Sequence, residues 1–152
     1  MLFRSVLPAL QNGALVIFSG WGSLPVDKYF NDPRLKLKWS GWKVDRGRKS
    51  FNVKSGSWLT SPENIEKLLK RGITPSSAFQ PVTPGVWDEL AQLKLKDGSF
   101  GSFLLTARIG KGMVVVTSGD FGFGGGLTMF GKNISQTVKL VRNLYHHLNN
   151  SK

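Results

Sequence analysis

The sequence predicts a layered α/β domain, and three of its segments support this prediction. Residues 14–19 (ALVIFS) and 113–117 (MVVVT) are short apolar runs rich in β-branched side chains, which is typical of strands buried on both faces of a sheet. Residues 133–148 carry apolar side chains at spacings of three and four, which indicates an amphipathic helix. Polar, glycine-rich segments follow both strands, and we expect a ligand-binding pocket at the carboxyl ends of the strands.

Length and composition are those of one globular domain. The chain has 152 residues, of which 40% are hydrophobic and 20% are charged, and this is enough to form a core. No apolar run approaches the roughly 20 residues of a membrane-spanning helix, so no transmembrane segment is predicted. The absence of cysteine excludes disulfides, thiolate metal sites and a cysteine nucleophile. The sequence assigns no cellular compartment.

The amino-terminal segment predicts the end of a helix and, with it, an incomplete domain. Residues 1–12 look like the last turns of a helix that Gly13 terminates, although Pro8 interrupts the segment. The following strand ends in Gly20-Trp21-Gly22-Ser23, a turn that places Trp21 at the rim of the expected pocket. We therefore expect that the chain is part of a larger one, with a helix and at least one strand upstream.

Residues 27–54 form a basic segment that we interpret as a hairpin-like insertion. Apolar and basic side chains alternate in residues 35–39 (LKLKW), which is the period-two pattern of a half-exposed strand. Residues 42–44 and 51–53 are predicted to form the second arm, on either side of a turn at residues 45–50.

The basic segment and the formal net charge of +12 allow two interpretations. Cationic side chains interleaved with Trp39 and Trp42 would suit a nucleic acid or another polyanion, because bases stack on aromatic rings and phosphates pair with cations. The candidate residues for this role are Arg46, Arg48 and Lys49. Alternatively, lysines along an exposed edge strand prevent aggregation and bind nothing.

The middle of the chain predicts one helix and one hairpin. Residues 60–63 (TSPE) have the cap, proline and acidic residue of a helix start, and Gly72 would end that helix. Residues 74–85 are predicted as a loop, and residues 86–93 (VWDELAQL) as a short helix or turn with Trp87 and Leu90 packed inward. Residues 100–107 and 113–117 are predicted to form a hairpin about Gly110-Lys111-Gly112. The closing helix is expected to bury Ile134, Val138, Val141, Tyr145 and Leu148.

The loop after residue 117 contains the candidate ligand-binding residues. Its glycines do not match a dinucleotide-binding or phosphate-binding motif, and His146 and His147 are neighbours on a helix and cannot chelate one metal, so no cofactor and no metal are predicted. Asp120 would accept hydrogen bonds from ligand hydroxyls, while Trp21 and Phe121 would stack on an apolar face of the ligand. Asp120 is also the one candidate general base, and the sequence leaves catalysis open. Alternatively, Asp120 only bonds its own turn.

Two segments resemble class I glutamine-amidotransferase-like domains, and within that superfamily the trehalose-utilisation (ThuA-like) and related uncharacterised branches. These segments are the helix and G-A-L-V-I strand at residues 6–22 and the A-x-x-G-x-G-x-V-V-V-T-x-G-D pattern at residues 107–120 with the closing helix and its Asn143. The resemblance implies a flavodoxin-like or Rossmann-like layered sheet, here with a β-hairpin insertion and lacking its N-terminal strand or strands. It is weak between the two segments.

The departures from that superfamily exclude glutamine hydrolysis by this chain. The amidotransferases use a cysteine with a downstream histidine and glutamate, but this chain has no cysteine and no histidine before His146. ThuA-like proteins often have histidines where this chain has Gly20-Trp21 and Gly119-Asp120. We therefore expect a non-amidotransferase member that binds a small polar or carbohydrate-like ligand. The alternatives are a polyanion-binding module and a scaffold domain without a ligand.

Overall fold

The computed structural model describes residues 3–20, 22–41, 43, 51–54, 60–64, 77–118 and 131–150. The α-helices with described bounds are α1 (Phe3–Gln11), α2 (Val26–Phe30) and α3 (Gly131–Asn150). The strands are β1 (Leu15–Ser19), β2 (Leu37–Trp39), β3 (Phe51–Val53), β4 (Phe79–Pro81), β5 (Asp88–Lys94), β6 (Phe100–Ile109) and β7 (Gly112–Thr117). A 3-10 turn at Pro33–Leu35 precedes β2. Within these ranges, no helix combines the length and the apolar character needed to cross a membrane.

The described strands form one open, mixed sheet. Its order is β1-β7-β6-β4-β2, and β5 joins β6 to β3. β1 and β7 are parallel, whereas the other pairs are antiparallel. The predicted α/β class is therefore confirmed. A flavodoxin-like sheet is parallel, and the pairs among the described strands do not confirm that finer prediction.

Hydrophobic cores lie on both faces of the sheet. One core combines Phe103, Met113 and Val115 of the sheet with Leu140 and Leu144 of α3. The core on the opposite face combines sheet residues such as Phe79, Val114 and Val116 with residues from α1 and α2, among them Leu10 and Phe30. Because successive strand residues point to opposite faces, the run Met113–Val116 serves both cores and is fully buried. This layering is what the sequence predicted.

The elements around β1 and β7 agree with the predictions. α1 ends at Gln11, and Gly13 follows with a φ of 106°, a backbone conformation that glycine tolerates. β6 and β7 form the predicted hairpin about residues 110–111. One expectation was wrong: β1 is half-buried rather than buried on both faces, since β7 is its one partner among the described strands.

The segment predicted as a short helix or turn, residues 86–93, is mostly strand β5. The helix-like spacing of Leu90 and Leu93 arises from irregular pairing with β6, where register shifts on both sides of Ala91 bring adjacent residues into the same core. The inward packing predicted for Trp87 and Leu90 is confirmed, since both are buried. β4 likewise lies within the segment predicted as a loop.

The described parts of the predicted hairpin-like insertion include a strand from each arm, β2 and β3, and these two strands do not pair with each other, while residues 42 and 44–50 lie outside the described residues. β2 pairs with β4, and β3 pairs with β5. Leu37 is buried while Lys36 and Lys38 are exposed, as the alternation in residues 35–39 predicted. The partners differ from the prediction because a period-two pattern shows which face is buried and carries no information about the neighbouring strand.

Two helix predictions also need correction. Residues 61–64, predicted to begin a helix, are not helical, and the remainder of that predicted helix, residues 65–72, lies outside the described residues. Ile134 lies outside the part of α3 whose side chains are described, residues 138–150. Within that part, the buried side chains are Leu140, Asn143, Leu144 and Leu148, so the burial predicted for Leu148 is confirmed. Val141 is half-buried, whereas Val138 and Tyr145 are both 44% exposed. Two apolar stripes with helical spacing are present on this helix, and the stripe with Leu140, Leu144 and Leu148 packs in the core against the sheet.

Candidate functional site

The residues predicted to bind a ligand lie outside the described part of the chain. This holds for Trp21, Asp120 and Phe121, and equally for the predicted polyanion-binding residues Arg46, Arg48 and Lys49. The structure does describe the residues that precede the first group. It places Gly20 and Ser118 at one end of the sheet, where β1 and β7 terminate.

The carboxyl ends of β1 and β7 are adjacent and level with each other. Ser19 is in register with Thr117, and the amide of Gly20 donates a hydrogen bond to the Thr117 carbonyl at 3.2 Å. The segments that leave these strands therefore start from neighbouring positions. This is the arrangement in which open α/β sheets bind ligands.

Three buried hydroxyl groups surround this end of the sheet. Thr117, Ser118 and Ser77 are at most 4% exposed. The Ser118 hydroxyl donates to the carbonyl of Ser77, and the Ser118 amide donates to the carbonyl of Phe103 at 3.0 Å. The Ser77 hydroxyl, in contrast, has no hydrogen-bond partner within the described residues.

A cavity of about 710 Å³ lies near the other end of β7. It forms where β5 and β6 separate: their pairing ends at Asp88 and Thr106, whereas β6 continues to Ile109. Leu35, Val86, Ile109 and Met113 provide apolar walls. The polar groups that line it are Asp32, Arg34, Trp87, Asp88, Thr106 and Arg108.

An ion pair forms one side of the cavity. Asp32 caps the 3-10 turn by accepting a hydrogen bond from the Arg34 amide at 3.1 Å. It also accepts two side-chain bonds from Arg34, from Nε at 2.9 Å and from Nη2 at 2.7 Å. These bonds hold the pKa of Asp32 below its usual value and raise the pKa of Arg34. Both groups are therefore charged at neutral pH.

The remaining polar residues that line the cavity are held by contacts of their own. Lys54 contacts the Asp88 carboxylate, so this carboxylate also has a cationic partner. Trp87 is 7% exposed, and its indole N–H has no hydrogen-bond partner within the described residues. An indole nitrogen can only donate. Arg108 donates from Nη2 to the His147 carbonyl at 3.2 Å, which connects the cavity to α3.

The histidines are in structural positions. His147 Nε2 lies 3.1 Å from the Ser61 carbonyl, and the ring of His146 lies 3.2 Å from the Asn150 amide. No group of three or more potential ligands within the described ranges could hold a metal ion. The two imidazole rings also contact each other edge to face, with their centroids 5.3 Å apart.

Sequence reasoning did not identify the cavity. Trp87 was predicted as a core residue. The cavity draws residues from three distant segments, near positions 32–35, 85–88 and 106–113. The one local signal is the Asp32-Pro33-Arg34 sequence, which combines a cap with its ion-pair partner.

Comparisons with known proteins bring no further assignment. No protein-family model, no curated protein and no solved structure matches this chain.

Proposed function

We propose that this protein binds a small polar or carbohydrate-like ligand at the carboxyl ends of β1 and β7. The supporting observation is the level, parallel termination of the two strands, which the Gly20–Thr117 hydrogen bond of 3.2 Å holds together. Trp21 follows Gly20 directly in the chain, and Asp120 follows Ser118 by two residues. The segments that contain the two candidate residues therefore begin at the same end of the sheet.

The chemistry of the surrounding groups favours a ligand with hydroxyl groups. A carboxylate such as that of Asp120 accepts hydrogen bonds from hydroxyls, and aromatic rings such as those of Trp21 and Phe121 stack on the apolar face of a sugar. The buried hydroxyl of Ser77, which has no hydrogen-bond partner within the described residues, can both donate and accept. These properties do not require a charged ligand.

The proposal includes membership of the glutamine-amidotransferase-like superfamily, without its amidotransferase activity. The parallel pair of β1 and β7, followed in the chain by α3, is the part of the described fold that resembles a flavodoxin-like arrangement. The absence of cysteine excludes the thiol chemistry of the amidotransferases. The proposed activity is therefore binding, and any catalysis would depend on Asp120 as a general base.

Saturation-transfer NMR with glucose, galactose, maltose and trehalose tests the proposal. We expect at least one sugar to receive saturation from the protein, and we expect Asp120→Ala to abolish this transfer at an unchanged unfolding temperature. Asp97→Ala is the matched control, because Asp97 is exposed at the turn between β5 and β6. Trp21→Phe should weaken binding less than Asp120→Ala, since the substituted ring can still stack.

Two outcomes would count against this function. If none of the sugars receives saturation at millimolar concentration, the carbohydrate-like ligand class is wrong. If a fluorescent single-stranded oligonucleotide binds instead, with an affinity that falls steeply with salt, the polyanion alternative gains support. In that case Arg46→Ser, Arg48→Ser and Lys49→Ser, combined in one variant, should remove the salt dependence.

A further inference from the structure

β1 is one end of the described sheet, and half of its backbone hydrogen-bonding groups point away from that sheet. The Ala14 carbonyl accepts a hydrogen bond from the Met113 amide at 3.0 Å, and the Gly20 amide donates to the Thr117 carbonyl at 3.2 Å. Because alternate residues of a strand bond to a given neighbour, the even-numbered residues of β1 bond to β7. The outward-pointing groups belong to Leu15, Ile17 and Ser19. In the described part of the chain, β7 is the one strand that pairs with β1, so this side of the ladder is open.

The other two ends of the described sheet have features that oppose pairing with a further strand, whereas β1 has none. β2 and β3 have three residues each. Lys36 and Lys38 are exposed at β2, and the exposed Lys54 follows β3. Short strands and edge lysines keep the sheets of monomeric proteins from associating. β1 has five residues, LVIFS, with no charge and no proline. Two edges are thus protected, and the β1 edge is left open to another strand.

The distribution of charge favours a second copy of this chain as the strand that pairs with β1. Residues 5–26, which include β1 and most of α1, have no charged side chain, although the whole chain has a formal net charge of +12. Two copies repel each other through that net charge, and the repulsion is weakest where the surfaces in contact are uncharged. An acidic partner, which the net charge would attract, has no cation within residues 5–26 to pair with.

The outward-pointing groups of β1 are self-complementary when two copies pair in antiparallel orientation. A two-fold axis at Ile17 places this residue opposite its own counterpart, and it places Leu15 opposite Ser19 of the second copy. These positions are hydrogen-bonded pairs, and together they form about six backbone hydrogen bonds. Val16 then lies opposite Phe18 of the second copy in a non-hydrogen-bonded pair, where a β-branched and an aromatic side chain stabilise each other. We propose that this protein forms a two-fold dimer in which β1 of each copy joins the two sheets into one.

An apolar groove beside β1 extends the contact beyond the backbone. It has a volume of about 250 Å³, and Val6, Val16, Phe18, Tyr29 and Phe30 line it. Tyr29 is 39% exposed, and the centroid of its ring lies 5.4 Å from that of Phe18. The two-fold axis of an antiparallel strand pair is perpendicular to the sheet, so the grooves of both copies lie on the same face and adjoin at Val16 and Phe18. Burial of these apolar surfaces stabilises the dimer.

Sedimentation equilibrium and amide hydrogen exchange together test the dimer. We expect the apparent mass to rise from that of one chain toward that of two between micromolar and millimolar concentration. Exchange at Leu15, Ile17 and Ser19 should become at least about tenfold slower over the same range, because their amides gain hydrogen-bond partners. The amides of Val16 and Phe18 bond to β7 and should be protected at every concentration, so they are internal controls.

Two substitutions at the open edge disrupt the dimer and leave the hydrogen bonds between β1 and β7 in place. Ile17→Pro deletes an outward-pointing N–H, and edge strands accept proline at such positions. By symmetry two hydrogen bonds are lost, so the dissociation constant of the dimer should rise about thirtyfold. Ser19→Lys introduces the kind of residue that protects the β2 edge, and it should also weaken the dimer. Ile17→Val and Ser19→Thr are the matched controls, since they keep the backbone groups and add no charge. Circular dichroism checks that the fold is retained, and Ser19→Lys decides the result if Ile17→Pro does not fold.

Three results would overturn the proposed dimer. A chain that stays monomeric at millimolar concentration would exclude it directly. An Ile17 amide that is as well protected as the Val16 amide in the monomer would show that another segment of the same polypeptide pairs with β1. A dimer in which the Ile17 amide exchanges rapidly, or which Ile17→Pro and Ser19→Lys leave unchanged, would use a different surface.

Discussion

The buried amide of Asn143 connects α3 to the segment at residues 60–64, and its removal should destabilise the protein measurably. Asn143 is fully buried. Its Oδ1 accepts a hydrogen bond from the Glu63 amide at 3.1 Å, and its Nδ2 donates to the Glu63 carbonyl at 2.7 Å. One side chain thus satisfies both backbone groups of Glu63, in the way that a neighbouring strand would.

The expected magnitude follows from these two hydrogen bonds. Each contributes about 1 kcal/mol to stability, so Asn143→Ala should lower the free energy of unfolding by about 2 kcal/mol. For a domain of this length, this corresponds to a fall in the unfolding temperature of about 4–8 °C. The measurement is urea unfolding followed by circular dichroism, with the slope of the transition compared between variants to check that the unfolded state is unchanged.

Asn149→Ala provides the matched control for Asn143→Ala. Asn149 lies on the same helix and is exposed, so its substitution should change stability by less than about 0.5 kcal/mol. Asn143→Asp is the informative third variant, since it retains the acceptor for the Glu63 amide and replaces the donor to the Glu63 carbonyl. The reasoning would be refuted if Asn143→Ala and Asn149→Ala had the same effect.

Two further substitutions test the packing of the sheet. A Cβ atom at Gly112 would lie 2.3 Å from the Leu10 carbonyl oxygen and 2.6 Å from that of Ala14. Gly112→Ala should therefore lower the free energy of unfolding by about 1–3 kcal/mol or more in the same urea assay. Gly22→Ala is the control and should be nearly neutral, because a Cβ atom there would have nothing within 4 Å. Leu144→Ala should cost about 2–5 kcal/mol because Leu144 is fully buried, while Tyr145→Ala, at a side chain that is 44% exposed, should cost much less. If Tyr145→Ala lowered the unfolding temperature more than Leu144→Ala did, the helix face that the sequence predicted would be the one that packs against the sheet.

Local patterns in the sequence were sufficient for the elements whose environment is uniform. β7 is buried on both faces, and its continuous apolar run can be recognised without knowledge of its neighbours. The turn between β6 and β7 and the glycine that ends α1 follow from backbone conformations that favour glycine. The α/β class follows from these elements together with the closing helix.

The sequence could not reveal partners and orientations, because these depend on contacts between distant residues. β2 and β3 were recognised as strands, but their pairing with β4 and β5 involves segments some 40 residues away in the chain. Because the pairing of β5 with β6 is irregular, the apolar residues of this strand have a spacing that resembles that of a helix. On α3, two apolar stripes have helical spacing, and the contacts with the sheet determine which of them is buried.

The two candidate sites show the same division between sequence and tertiary structure. Strand ends followed by polar loops are visible along the chain, so the sequence by itself determined where to expect a pocket near Gly20 and Ser118. Whether those strands are adjacent was decided only by the parallel register of β1 and β7. The cavity beside Trp87 has no local signature, because it exists only where β6 extends beyond its pairing with β5 and distant side chains converge on the space.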